Sequence, residues 1–191
     1  MKKISFTLVI CTISIFANGF ETNYISELNL KKMPENVQKI IDSDEKYQLA
    51  IKQLTQKEFM ATREISSGDP HKVDTQKKTT VTIPNFKEAY KNLKDSYTKT
   101  KNPLSSYVLI HLIKTAFGKN SKLEDFSKYS KANYENGVCS GYIDYGETLQ
   151  NGYFVKKNKQ KAIEVYTEGL KKCKEGWYGS ILSSKLLTTK R

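Results

Sequence analysis

Few residues in this chain are placed to do chemistry. Ser43-Asp-Glu-Lys46 and Ser96-Tyr-Thr-Lys99 each put a lysine three residues after a serine. That spacing serves acyl-transfer sites in which the lysine assists a serine nucleophile. It carries little weight here. Lysine supplies nearly all of the 32 basic residues, so such pairs arise by chance, and neither Ser-Asp-Asn nor Lys-Thr-Gly accompanies them. There is no Gly-x-Ser-x-Gly and no phosphate-binding loop. His71 falls in a polar stretch. His111 sits inside Leu-Ile-His-Leu-Ile, where a hydrogen-bonded core histidine is expected in preference to a base or ligand. Two histidines without a Cys-x-x-Cys make no metal site. The expectation is a non-enzyme with no catalytic residue, no metal and no cofactor.

Tyrosine is the other conspicuous side chain. Twelve are present, and most should be core or half-core on helices. Tyr107, Tyr142, Tyr153 and Tyr178, with Trp177, are the candidates to line a concave binding groove, because amphipathic aromatics anchor interfaces, although a core place is the preferred reading for them.

The elements that would position these residues are helices. Ala162, Tyr166, Gly169 and Cys173 recur at helical spacing, while Lys159, Lys161, Glu164, Glu168, Lys171 and Lys172 lie off that stripe. Val138, Tyr142, Tyr145, Gly146 and Leu149 mark the preceding helix, and Gly152 stands where its C-terminus needs a left-handed residue. Upstream, Phe86, Ala89, Tyr90, Leu93 and Tyr97 form one stripe, with Asn85 as a cap. Leu104 to Phe117 is apolar on most sides and reads as a covered central helix. Leu123, Phe126, Tyr129 and Ala132 form a third stripe. Nearer the N-terminus, Val37, Ile40, Ile41, Tyr47, Ala50, Ile51 and Leu54 predict a helix over about 33–56, with Ser43-Asp44 as a point of interruption. Residues 20–32 read as a polar leader, and 57–84 as a mobile loop with a short edge strand at 79–83 as the lesser option.

The helices repeat. Ala89, Asp125 and Ala162 are 36 and 37 residues apart, as are Leu93, Tyr129 and Tyr166. A shift of 38 carries Gly141 onto Gly179 and Leu149 onto Leu187, which makes 177–187 a closing half-unit. Periods in the middle thirties fit one helix–turn–helix unit, and stacking such units buries faces that each would leave wet. Three unrelated hairpins in an ordinary bundle are the alternative.

Over 141–170 the residues resemble the Sel-one-like repeat, a relative of the tetratricopeptide repeat. Gly146, Gly152, Val155, Lys161, Ala162 and Tyr166 are identical to its pattern, whereas Gly141, Tyr145, Leu149, Phe154 and Asn158 depart from it. The resemblance implies an α/α solenoid that binds proteins or peptides and does not itself catalyse. The secreted cysteine-rich branch of that family cross-links its helices with pairs about eight residues apart, but Ala132 stands where such a partner of Cys139 would be. Cys139 and Cys173 instead fall at the same end of the predicted hairpin. A bridge between them is expected, with two buried thiols as the alternative.

Residues 1–19 have two lysines, an apolar run and then small residues, the pattern of a secretory signal peptide cleaved after Gly19. Ile4 to Ala17 is too short for a spanning helix, and Cys11 lacks the small preceding residue of a lipidation site. The net charge of +12 is almost all lysine, since only Arg63 and Arg191 are arginine. Lysine reads planar partners poorly, so nucleic acid is not expected. An anionic envelope surface or an acidic partner fits better, unless the lysines only solvate helix faces. The reading is thus an all-α chain: signal peptide 1–19, an N-terminal helix and loop over 20–84, and a solenoid of two to three repeats over 85–191. Its expected work is binding a protein or peptide, an acidic one among the options, in the periplasm or outside the cell. The alternatives are a small penicillin-recognising enzyme acting through Ser43 or Ser96, and a structural or inhibitory accessory of another envelope protein.

Overall fold

A computed structural model describes residues 19–55, 58–63, 77–82, 85–174 and 176–190. The signal-peptide expectation, apart from Gly19, and His71 lie outside the described residues. The described residues are helical apart from one two-stranded ribbon, with α2 to α9 packing on one another in sequence order: α1 (19–27), α2 (Glu35–Ser43), α3 (Glu45–Thr55), α4 (Phe86–Thr100), α5 (Pro103–Leu112), α6 (Leu123–Glu135), α7 (Cys139–Asn151), α8 (Lys159–Lys172) and α9 (Gly176–Lys190). A π-helical turn, Ile113–Phe117, and a 3₁₀ turn, Lys119–Lys122, join α5 to α6.

Two parts of the N-terminal reading need correction. Residues 57–84, expected as a mobile loop, contain an antiparallel ribbon of β1 (Glu58–Arg63) and β2 (Lys77–Thr82), with Phe59 opposite Val81. Threonine and valine in the second run favour such pairing. The supposed polar leader forms α1, whose Phe20 and Tyr24 are buried. The interruption at Ser43-Asp44 is real: Asp44 ends α2 and its carboxylate accepts the Tyr47 N–H, capping α3.

The repeat is visible in burial. Ala89 and Ala162 are wholly buried, as are Leu93, Tyr129 and Tyr166. Asp125, which takes the alanine position in α6, is instead half-buried and accepts from Tyr90 and Lys94. Small residues let the helices approach. A methyl group on Gly146 would overlap the Tyr166 ring, and one on Gly169 would come within 2.7 Å of Tyr142 Cβ. Gly152 ends α7 with φ 78°, a conformation that costs glycine nothing. Cys139 and Cys173 are bridged, with Cα atoms 5.9 Å apart, so the start of α7 is fastened to the end of α8.

Candidate functional site

Neither serine of the Ser-x-x-Lys stretches meets its lysine. Ser43 donates to the Lys39 carbonyl at 2.8 Å, and Lys46 donates to Asn92. Ser96 is fully buried, donates to Asp44 at 2.6 Å and touches the Ser105 hydroxyl, while Lys99 lies on the exposed side of α4. A shallow polar depression of about 470 Å³ lies between Lys94, Lys122, Lys128 and Asp125. The serine there, Ser121, donates to the Phe117 carbonyl, and Asp125 is already met by Lys94 and Tyr90.

The proposed groove aromatics separate into two groups. Tyr107 and Tyr142 are 1% and 0% exposed, so they do not line an open groove. Their hydroxyls reach polar partners: Tyr107 donates to Glu27, and Tyr142 accepts from Lys172. Tyr153 is half-buried beside Phe126, with the Lys119 ammonium 5.3 Å from its ring. Trp177 is 70% exposed and meets the half-buried Tyr178 edge to face.

What covers Tyr107 is α1, and this was not legible in the sequence. Phe20 packs against the His111 ring and Tyr24 against Tyr107, with ring centres 5.8 and 5.4 Å apart. Burial holds the Tyr24 hydroxyl up at a pKa of about 12. The carboxylate of Glu27 accepts from Tyr107 at 2.7 Å and from the Ser140 N–H at 2.8 Å, and the Tyr178 hydroxyl lies near it. Ser140 lies in the first turn of α7, whose N-cap, Val138, offers no side-chain cap. Glu27 therefore does for α7 what a capping side chain would, and its charge suits the positive end of that helix. Asn29 adds a bond to the Lys172 carbonyl at the end of α8. Helix α1 is thereby held against α5, α7 and α9.

Beside this seat, charge pairs tie the connection between α5 and α6, and α9, to α7. Lys114 meets Asp144 at 2.6 Å, Lys119 meets Glu147 at 2.5 Å, and Lys185 of α9 approaches Glu147 at 4.0 Å. Burial pushes the Asp144 carboxyl up against the opposing pull of Lys114. His111 goes down: burial dominates, Glu27 opposes it and Lys114 adds to it. It is half-buried, with its ring between those of Phe20 and Tyr107, and does not belong to the buried core.

Among the described residues, no group of three or more His, Cys, Asp or Glu side chains could hold a metal, and no helix is long and apolar enough to cross a membrane. No family profile, curated protein or solved structure matches the chain.

Proposed function

We propose that this chain is an exported helical-repeat module of the Sel-one-like kind, working in the bacterial periplasm or outside the cell and binding a protein or peptide partner along the row α5, α7 and α9. The observation that carries this reading is the seat of α1: the row already receives a helix, through two aromatic side chains and one carboxylate. A helix of about nine residues is marginal alone in water, so α1 depends on its seat for its order. A longer partner helix with the same Phe-x3-Tyr-x2-Glu pattern would compete for it. Two donors converge on one carboxylate there, which favours an acidic partner. The Cys139–Cys173 bridge supports an oxidising compartment.

Affinity purification from intact cells tests the reading. One stoichiometric partner is expected, recovered in greater yield by Phe20→Ala, which weakens the hold on α1 by roughly 1.5–3 kcal/mol. Recovery of no partner by either form after cross-linking would sink it.

A further inference from the structure

The last helix repeats α7 but lacks what covers α7. On α7, Cys139, Tyr142, Gly146 and Leu149 face α8: the first is bridged to Cys173, the second lies under Gly169, the third under Tyr166, and Leu149 is 6% exposed. The shift of 38 that carries Gly141 onto Gly179 places Trp177, Ser180, Ser184 and Leu187 at those four positions of α9. The two glycines play one role, each set against the backbone that ends the preceding helix, Asn133–Tyr134 or Cys173–Lys174. The four α9 residues are all exposed, Trp177 at 70% and Leu187 at 65%. This face thus has the shape of a helix seat, and no described residue occupies it.

The pattern along that face identifies the occupant. Its bulky residues, Trp177 and Leu187, lie five residues either side of Leu182, and its small ones, Ser180 and Ser184, lie two either side. Such a face is its own complement when a second copy is laid against it antiparallel. Each Trp177 then meets the other copy's Leu187, and the serines face each other, allowing close approach. That is the isologous contact of a twofold dimer. None of the four residues is charged, and Lys185 beside them is turned toward Glu147. An α8-like helix from another protein would need no such mirror symmetry.

We propose that this protein forms a twofold homodimer through the exposed face of α9. One helix pair is at the small end of specific interfaces, so the dimer is weak, with a dissociation constant of roughly micromolar order. Both copies carry a net charge of +12, so salt strengthens their association by screening. The proposal does not depend on the binding of any partner at the α1 seat.

The single tryptophan lies in the interface and reports on it. The experiment is sedimentation of the purified full chain, as the expressing cell processes it, over about 1–500 µM at low and high salt, with tryptophan emission and acrylamide quenching read on the same samples. Expected is a concentration-dependent dimer, favoured by salt, with Trp177 emission shifting blue and quenching falling in step. Ser184→Lys and Leu187→Glu should each weaken association by about tenfold or more while circular dichroism and melting stay as in the parent chain. A chain that is monomeric throughout overturns the proposal and leaves the face to a helix of another protein. A dimer that persists in both folded variants, or one that forms without any change at Trp177, overturns it equally.

Discussion

Asp44 shows how a residue suggestive of chemistry can be wholly structural. Its carboxylate is buried and accepts from Ser96, Thr100 and Asn102 and from the Tyr47 N–H. Burial pushes the carboxyl up, but the four bonds together outweigh it, and its pKa lies below the ordinary 3.8. The folded chain therefore holds fewer protons than the unfolded one between these two values. The stabilisation is whole above about pH 4 and is lost as pH falls through the folded pKa. Asp44→Asn should flatten that acid limb, because the amide neither titrates nor accepts as many donors. Asp44→Ala, which leaves buried donors unmet and α3 uncapped, should cost roughly 3 kcal/mol or more at neutral pH. Urea titrations of the three forms at pH 7 and at pH 3 check both statements, and an unchanged acid limb in Asp44→Asn would refute the first.

At the level of the helices, close approach decides the sign of a substitution. In an isolated α7 peptide, Gly146→Ala should raise helicity, since alanine is favoured by about 1 kcal/mol inside a helix. In the whole protein the same change drives a methyl group into the Tyr166 ring and should destabilise by about 1–3 kcal/mol. Circular dichroism of the peptide and thermal melts of the protein measure the two signs, and trimming Tyr166 to leucine should relieve most of the cost. This interlocking was legible in the sequence because tyrosine and glycine fall at helical spacing within each helix, Tyr142 with Gly146 and Tyr166 with Gly169. Local signals were legible too, such as Asn85 accepting from the Glu88 N–H and Gly152 closing α7. Helix α1 was not legible, since two turns are too few to reveal a period. Glu27, moreover, is buried against partners far along the chain, Tyr107 at 80 residues and Ser140 at 113. The same limit left Tyr107 and Tyr142 open between core and groove, and both are core. An amphipathic aromatic reads alike in a core and in a groove until its distant hydroxyl partner is known. In the 57–84 segment the run at 79–83 offered a strand, which overlaps β2, but pairing with β1 across a long connection left no hairpin signal to read.

Over the whole molecule, the array rests on two cores of unequal size. Among the described residues, one gathers twenty buried apolar residues, nineteen of them between Phe20 and Tyr129 and the last Val138, while the other gathers eight from Cys139 to Leu182. In a stacked array each unit is held by its neighbours, so the smaller core should open first. The bridge from Cys139 to Cys173 lies within that smaller core and spans 34 residues. On the chain-entropy model it contributes about 3–4 kcal/mol, which for a chain of this size corresponds to a melting shift of roughly 10 °C. Several attachments oppose local opening, among them Glu27 on the start of α7, Asn29 on the end of α8, Ser130 on Thr148, Lys114 on Asp144 and Lys119 on Glu147. They are partly exposed pairs or single bonds, each weaker than a covalent staple. Reduction should therefore uncouple the two cores. Hydrogen exchange should show the amides of α7 to α9 losing protection at lower denaturant than those of α3 to α6, whereas the oxidised chain loses both together. If the reduced chain instead loses protection evenly from α3 to α9, those attachments suffice to make the array one cooperative body, and the bridge adds stability without deciding where it opens.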